Sequence, residues 1–174
     1  MEKKTVLVVC NGNIHRSVIA EICLNQELEV ENSGMDIRCI SRGIEMRSEK
    51  RNMMNFPEEW ALTKPVLEKL GITVSPNRKA QQIDLSSVEK ASVILAMDRR
   101  VLRILWEKFP SHTFKMRLFS ELVGKCEDIV DCKGKLEPEA HQQANFRIKE
   151  IAVNGISFLR KLVDLFSSES EEVS

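Results

Sequence analysis

Thr5-Val6-Leu7-Val8-Val9-Cys10-Asn11-Gly12-Asn13-Ile14-His15-Arg16-Ser17-Val18-Ile19-Ala20-Glu21 decides the fold class of this 174-residue chain. Thr5–Val9 is an unbroken, mostly β-branched apolar run stopped by an Asn/Gly turn, the pattern of a buried strand in a parallel sheet. Ser17 then stands as an N-cap before Ile19, Ala20, Ile22, Cys23 and Leu24, which have helical spacing. Working outward, Asp36–Ile40 reads as a second strand, Val93–Met97 as a third and Phe114–Phe119 as a fourth. Residues 42–60 are polar, charged and Met-rich and read as a long connection with one short helical turn. Leu62–Leu70 has helical spacing and stops at Gly71, a C-cap residue type. A helix over 99–108 carries Val101, Leu102, Leu105 and Trp106 and ends before Pro110. Ile148, Ile151, Ala152, Ile156, Leu159, Leu162, Val163 and Phe166 form the apolar stripe of a long amphipathic helix. Strands alternating with helices predict an α/β protein: a three-layer α/β/α sandwich with a central parallel sheet of about four strands. One domain is expected over residues 1–166, with the Ser/Glu-rich 167–174 as a disordered tail.

Composition sets outer bounds. Hydrophobic residues at 43% against 30% charged supply a core and exclude wholesale disorder. Lys+Arg and Asp+Glu balance at 26 each, which excludes a large basic nucleic-acid surface or a polybasic membrane anchor. No apolar run approaches the ~20 residues of a membrane span, and the run ending at Cys10 is too short for a secretion signal. Five cysteines are an odd number without a CxxC spacing, so neither a disulfide scaffold nor a zinc site is expected. A reducing cytoplasm fits best, with no nucleic-acid or membrane partner.

The loop after the first strand carries the chemistry. Ligands of open α/β sheets bind at the carboxyl ends of strands. A loop there that wraps onto a helix N-terminus offers backbone N–H groups and a positive dipole end to an anion. Gly12, Asn11 and Asn13 are residue types that tolerate the left-handed backbone such a cradle needs. Arg16 adds a planar fork suited to two phosphate oxygens. Cys10 would form the cradle's floor, where amides, dipole and arginine all favour its thiolate, a nucleophile.

With these residues in hand, the chain resembles the low-molecular-weight protein tyrosine phosphatase family, whose signature is Cys-x-Gly-Asn-x-Cys-Arg-Ser-Pro-x-Ala-Glu. Residues Cys10 to Glu21 follow that pattern. The likeness continues at Ile40-Ser41-Arg42-Gly43, at Ile94-Leu95-Ala96-Met97-Asp98-Arg99 and at Asp128-Ile129-Val130-Asp131, and spans roughly residues 5–166. The resemblance implies a phosphomonoester hydrolase, directed at protein phosphotyrosine, that works through a cysteinyl phosphate and needs no metal or other cofactor. It assigns Cys10 as nucleophile, Arg16 as phosphate ligand and Asp131 as general acid and base. Asn11, Gly12, Asn13, Ile14, His15 and Ser17 would line the substrate phosphate, and Asn13, Ser17 and Ser41 would brace the loop. Phosphate, sulfate or vanadate should occupy the same cradle.

The departures matter as much. His15 stands where the family has a second loop cysteine, so the family's protective disulfide is absent in its usual form. The imidazole is expected to point to solvent, or else to add positive charge near Cys10. Val18 replaces a proline, Cys132 the proline after the acid, and Lys133 an aromatic. There is no tyrosine, so the walls that grip a phosphotyrosine ring are partly missing, and Met53, Met54, Phe56 and Trp60 are candidates for a replacement wall. Ile14 fits the tyrosine-directed pattern, since the family's arginine-phosphate branch has threonine there. Arg78-Lys79-Ala80-Gln81-Gln82 matches a family stretch only in part and receives no role. Two other functions stay open: a thioredoxin-coupled arsenate reductase using Cys126 and Cys132, and a phosphate- or phosphoprotein-binding module with weak turnover.

Overall fold

The computed structural model describes residues 3–31, 36–46, 48 and 51–168. Four strands, β1 (Lys4–Cys10), β2 (Ile37–Gly43), β3 (Ala91–Ala96) and β4 (Met116–Leu118), form one parallel sheet in the order β2-β1-β3-β4. The helices are α1 (Arg16–Glu31), α2 (Pro57–Lys69), α3 (Leu85–Lys90), α4 (Arg99–Lys108) and α5 (Pro138–Ser168). The three-layer sandwich expected from the alternation is the architecture found.

Alternation along β1 divides the core. Val6 and Val8 face a cluster with Ile19, Cys23 and Leu24 of α1 and Ile148, Ile151 and Leu159 of α5. Leu7 and Val9 face the other side, against Val88 of α3 and Val101, Leu102 and Leu105 of α4. Both faces of β1 are therefore covered, which is why its sequence is continuously apolar rather than alternating. The chain leaves β1 toward β2 on one side and returns to β3 on the other. That reversal opens a crevice at the carboxyl ends of β1 and β3, where an open α/β sheet binds its ligand. Cys10 is the last residue of β1.

Several boundaries differ from the sequence reading, each for a local reason. Strand β2 runs on to Gly43 because its end pairs with β1 through Cys10 and makes a further bridge to Gln82. Residues 42–60 are not one connection. Met53–Asn55 forms a 3-10 turn capped by the Asn52 side chain, and α2 begins at Pro57, which suits a first helical position because its missing N–H is not required there. The helix spans Pro65 and ends with Gly71 at φ 68°, the left-handed geometry that favours glycine. Helix α3 was not anticipated; its apolar pattern is short, and it rests on the Asp84 capping box, whose carboxylate accepts from Ser87 N at 2.7 Å. Phe114 and Lys115 fall in a 3-10 turn over Pro110–Lys115, so β4 is shorter than expected. Lys115 is buried, and its ammonium donates to the carbonyl of Ala91 at 2.6 Å.

Helix α5 continues to Ser168, past the expected domain end at 166, and the remainder of the expected tail lies outside the described residues. Among the described residues no helix is long and apolar enough to cross a membrane. Gly155 is the point where α5 presses on the 3-10 turn Phe119–Val123: a Cβ there would stand 2.5 Å from Leu122 Cβ and 3.1 Å from its carbonyl oxygen. Gly155→Ala should lower the melting temperature, because overpacking costs about 1–3 kcal/mol and outweighs the ~1 kcal/mol helix-propensity gain. An unchanged or raised melting temperature would contradict this close approach.

Candidate active site

The loop between β1 and α1 is a closed cradle. Cys10 Sγ is nearly buried, 3.0 Å from Ser17 Oγ, and accepts from the backbone N–H of Asn13 at 3.2 Å. The sulfur thus meets polar groups from both the loop and the first turn of α1. Asn13 is the one described non-glycine residue with positive φ, at 53°, and its short amide side chain suits that backbone. The amide braces the loop outward: Nδ2 donates to Ser17 Oγ at 3.1 Å and to Ser41 Oγ at 2.9 Å, and Oδ1 accepts from Gln81 N at 2.9 Å. Asn13, Ser17 and Ser41, singled out from the sequence, thus meet in one buried cluster.

Behind them stands a layer that sequence reasoning left without roles. Glu21 accepts from Ser41 Oγ, and Arg78 donates to Glu21 at 2.7 Å. Gly43 packs against the loop: a Cβ there would lie 3.0 Å from Gly12 C and 3.1 Å from Asn11 O. Ile44 N and Glu45 N donate to the carbonyls of Cys10 and Asn11, which leaves those loop oxygens turned toward β2. Arg78 and Gln81 sit in the stretch given no role, because their partners are reached across the fold and no local spacing announces them.

Arg16 opens α1 and is 4% exposed. Nη1 donates to Asp98 Oδ2 at 2.7 Å and to the Ile129 carbonyl at 2.8 Å, while Nη2 meets Asp131 Oδ2 at 3.2 Å. Burial works against its charge, but Cys10, Asp131 and Asp98 outweigh it and hold its pKa above the ordinary arginine value. Asp98 lies in the stretch that resembles the family, where the sequence implies no role for it. It caps α4 through Val101 N and holds Arg16 with its other oxygen. Asp131 is more open than Asp98, at 45% side-chain exposure against 18%.

A pocket opens above Cys10, lined by Gly12, Ile14 and His15 of the loop, by Met53, Phe56 and Trp60, and by Asp131, Cys132 and Lys133. Phe56 and Trp60 thus provide aromatic surface beside the cradle. Met53 joins them partly from the core, and Met54 is absent from the lining and exposed. The two thiols of the reductase reading have opposite environments: Cys126 is exposed, whereas Cys132 is buried and burial pushes its pKa up to about 11.

His15 neither points to solvent nor adds charge. Its Nε2 lies 3.0 Å from Asn145 Oδ1, and desolvation lowers its pKa to about 4 despite Asn145 and Asp131 favouring the cation. Asn145 Nδ2 donates to the His141 carbonyl at 2.7 Å, so Oδ1 is the end facing His15 and Nε2 must be the donor. The neutral ring then carries its lone pair on Nδ1, which is shut off from solvent and has no partner among the described residues.

Comparison with known proteins agrees with this geometry. The family model for low molecular weight phosphotyrosine protein phosphatase matches residues 5–153. A probable low molecular weight protein-tyrosine-phosphatase, EpsP of Ralstonia nicotianae, is 34% identical over 110 residues, which span 63% of this chain and 66% of that protein, just under two thirds. Among solved structures, Vibrio vulnificus Wzb in complex with benzylphosphonate aligns with a TM-score of 0.69 at 26% identity, covering 87% of this chain and 95% of that one. The YwlE arginine phosphatase from Geobacillus stearothermophilus aligns with a TM-score of 0.70, covering 97% and 96%, but at 22% identity it speaks for the fold alone.

The His15 environment gives a stability signature. Its folded pKa of about 4 lies below the ordinary histidine value of 6.5, so the unfolded chain binds the proton first as the pH falls. The ring therefore destabilises the fold progressively between pH 6.5 and 4 and has no such effect above that window. Asp131 faces the ring as the nearby acid, with Asn145, His141 and Arg16 as its other neighbours. In thermal melts across this window, the loss of stability should be shallower for His15→Gln than for the wild type. An equal slope would contradict a neutral, desolvated ring.

Proposed function

The chain belongs to the low molecular weight phosphotyrosine protein phosphatase family, and from that premise we propose that it hydrolyses phosphomonoesters, protein phosphotyrosine foremost, through a cysteinyl phosphate. The observation that carries this reading is the convergence of Cys10 Sγ, the loop amides, Arg16 and Asp131 on one pocket.

The chemistry follows from the charges. The substrate's equatorial oxygens lie against loop N–H groups and the Arg16 guanidinium, fixed donors that stabilise the charge of the transition state without reorganising. Cys10 Sγ attacks phosphorus in line, forming the S–P bond as the ester P–O bond breaks. Asp131 gives its proton to the departing oxygen. A water then attacks the thiophosphate, passes its proton to Asp131, and the S–P bond breaks to release phosphate and restore the thiolate. Ser17 Oγ, 3.0 Å from Sγ, stabilises the sulfur as a nucleophile and as a leaving group.

An aromatic ester is favoured by the pocket's walls. Phe56, Trp60 and Ile14 supply apolar and aromatic surface for a ring reaching outward from the cradle. They substitute for the aromatics that family members carry beside the acid, where this chain has Cys132 and Lys133. The benzylphosphonate bound to the Vibrio vulnificus relative is consistent with a ring at this place. Ile14, where the arginine-phosphate branch has threonine, points the same way. A cytoplasmic site of action accords with the free thiols.

Steady-state hydrolysis of p-nitrophenyl phosphate at pH 5–7 tests the reading. Wild type should turn over, with competitive inhibition by vanadate and phosphate and no effect of EDTA. Cys10→Ser should abolish turnover yet still bind oxyanions. Asp131→Asn should depress kcat within the roughly 10²–10⁴-fold range of a general acid, more for phenyl phosphate than for the better leaving group p-nitrophenolate. Absence of turnover in folded wild type, or inactivation by EDTA, would overturn the mechanism.

A further inference from the structure

The loop bearing Asp131 is held at both ends. On its N-terminal side, Ile129 N donates to the Met97 carbonyl at 2.9 Å and Ile129 O accepts from Arg16. On its C-terminal side, the Lys135 carbonyl lies 2.7 Å from His141 Nε2, which must therefore be the donor. His141 Nδ1 lies 2.8 Å from the Thr63 hydroxyl, so the same imidazole also fixes α2. His141 and Asn145 are fully buried one turn apart on α5, and Asn145 joins the His141 carbonyl to His15 Nε2.

Read in sequence, these bonds make one path: His15 to Asn145, Asn145 to the His141 carbonyl, and the His141 ring to Lys135 O. Adjacent residues of the cradle thus grasp opposite ends of the loop, Arg16 directly and His15 through α5. We propose that His15 is a positioning residue for Asp131, fixing the C-terminal anchor of the acid loop through Asn145 and His141. This rests on the reading of Asp131 as the general acid. It accounts for the buried polar pair His141 and Asn145 on an otherwise apolar helix face. Unpaired buried polar groups are costly, and the side chains of His141 and Asn145 keep these partners only when both loops stand in these positions.

The role predicts a defect confined to the proton transfer. A loosened anchor misplaces Asp131 while leaving Cys10, Arg16 and the loop amides where they are. Loss should therefore grow as the leaving group worsens. The experiment compares kcat for phenyl phosphate and p-nitrophenyl phosphate in wild type, His15→Ala, Asn145→Leu, His15→Gln, Asp131→Asn and the double variant His15→Ala/Asp131→Asn, with vanadate inhibition and a thermal melt for each. His15→Ala and Asn145→Leu should lose roughly ten-fold more on phenyl phosphate than on p-nitrophenyl phosphate, part of the ~10²–10⁴-fold worth of a general acid. Vanadate inhibition should be unchanged in Asn145→Leu, which lies outside the cradle. His15→Gln, whose amide can still donate to Asn145, should restore the wild-type ratio, and the double variant should show the leaving-group dependence of Asp131→Asn alone. Equal losses on both esters, vanadate inhibition of Asn145→Leu weakened in step with its kcat, or additive effects in the double variant would overturn the proposal. Absence of any leaving-group dependence in Asp131→Asn would instead overturn the acid assignment itself.

Discussion

A buried guanidinium is the constraint from which the rest of the site follows. Removing a charge from water costs several kcal/mol after relaxation, and breaking one side of a buried pair typically costs about 3–5 kcal/mol. Arg16 is tolerable in its position only because the N-cap of α4 supplies Asp98 and the loop before α5 supplies the Ile129 carbonyl and Asp131, with the Cys10 sulfur at the end of β1 close by. Three separate stretches of chain thereby converge on one side chain. The same arrangement leaves a cationic fork beside Cys10, so in the proposed reaction the stability requirement and the phosphate requirement have one solution.

Around that fork the loop is rigid by design of its braces rather than by secondary structure. Asn13 occupies a left-handed backbone position and spends its amide on three partners from α1, β2 and the segment before α3. The Asn13 N–H itself donates to Cys10 Sγ. Gly43 lets β2 come within contact of the loop from outside, so a side chain there would displace Gly12 or Asn11. A cradle organised in advance does not have to reorganise as negative charge develops, which is where its catalytic value would lie in the proposed reaction.

Much of this was legible in the sequence because it is local. The strand, the Asn/Gly turn and the helix start occupy consecutive residues, and the apolar run of β1 announces burial on both faces. The core positions of α4 and α5 were equally plain, since Val101, Leu102 and Leu105 or Ile148, Ile151 and Leu159 repeat at helical intervals. Other features are set by partners distant in sequence. Nothing near His15 signals Asn145, and its neutral state follows from packing against α5. Arg78 and Gln81 acquire their roles only when the fold brings them behind Asn13. Trp60 was assigned to a connection because Glu58 and Glu59 make its neighbourhood polar, yet those acids suit the first turn of α2. The short strand β4 was overextended because Phe114 is apolar; its ring in fact packs edge-on against Phe166, with centroids 6.1 Å apart.

The central claim is that the cradle exists to make and break a bond between phosphorus and Cys10. The most direct test is to mix the protein with excess p-nitrophenyl phosphate, quench in alkali during turnover and record the ³¹P NMR spectrum, with peptide mapping of the labelled chain. The account predicts a thiophosphate resonance, with a single phosphoryl group mapping to Cys10 and none on the other cysteines. Steady turnover with no phosphoryl group on Cys10, or with the group carried elsewhere, would contradict it.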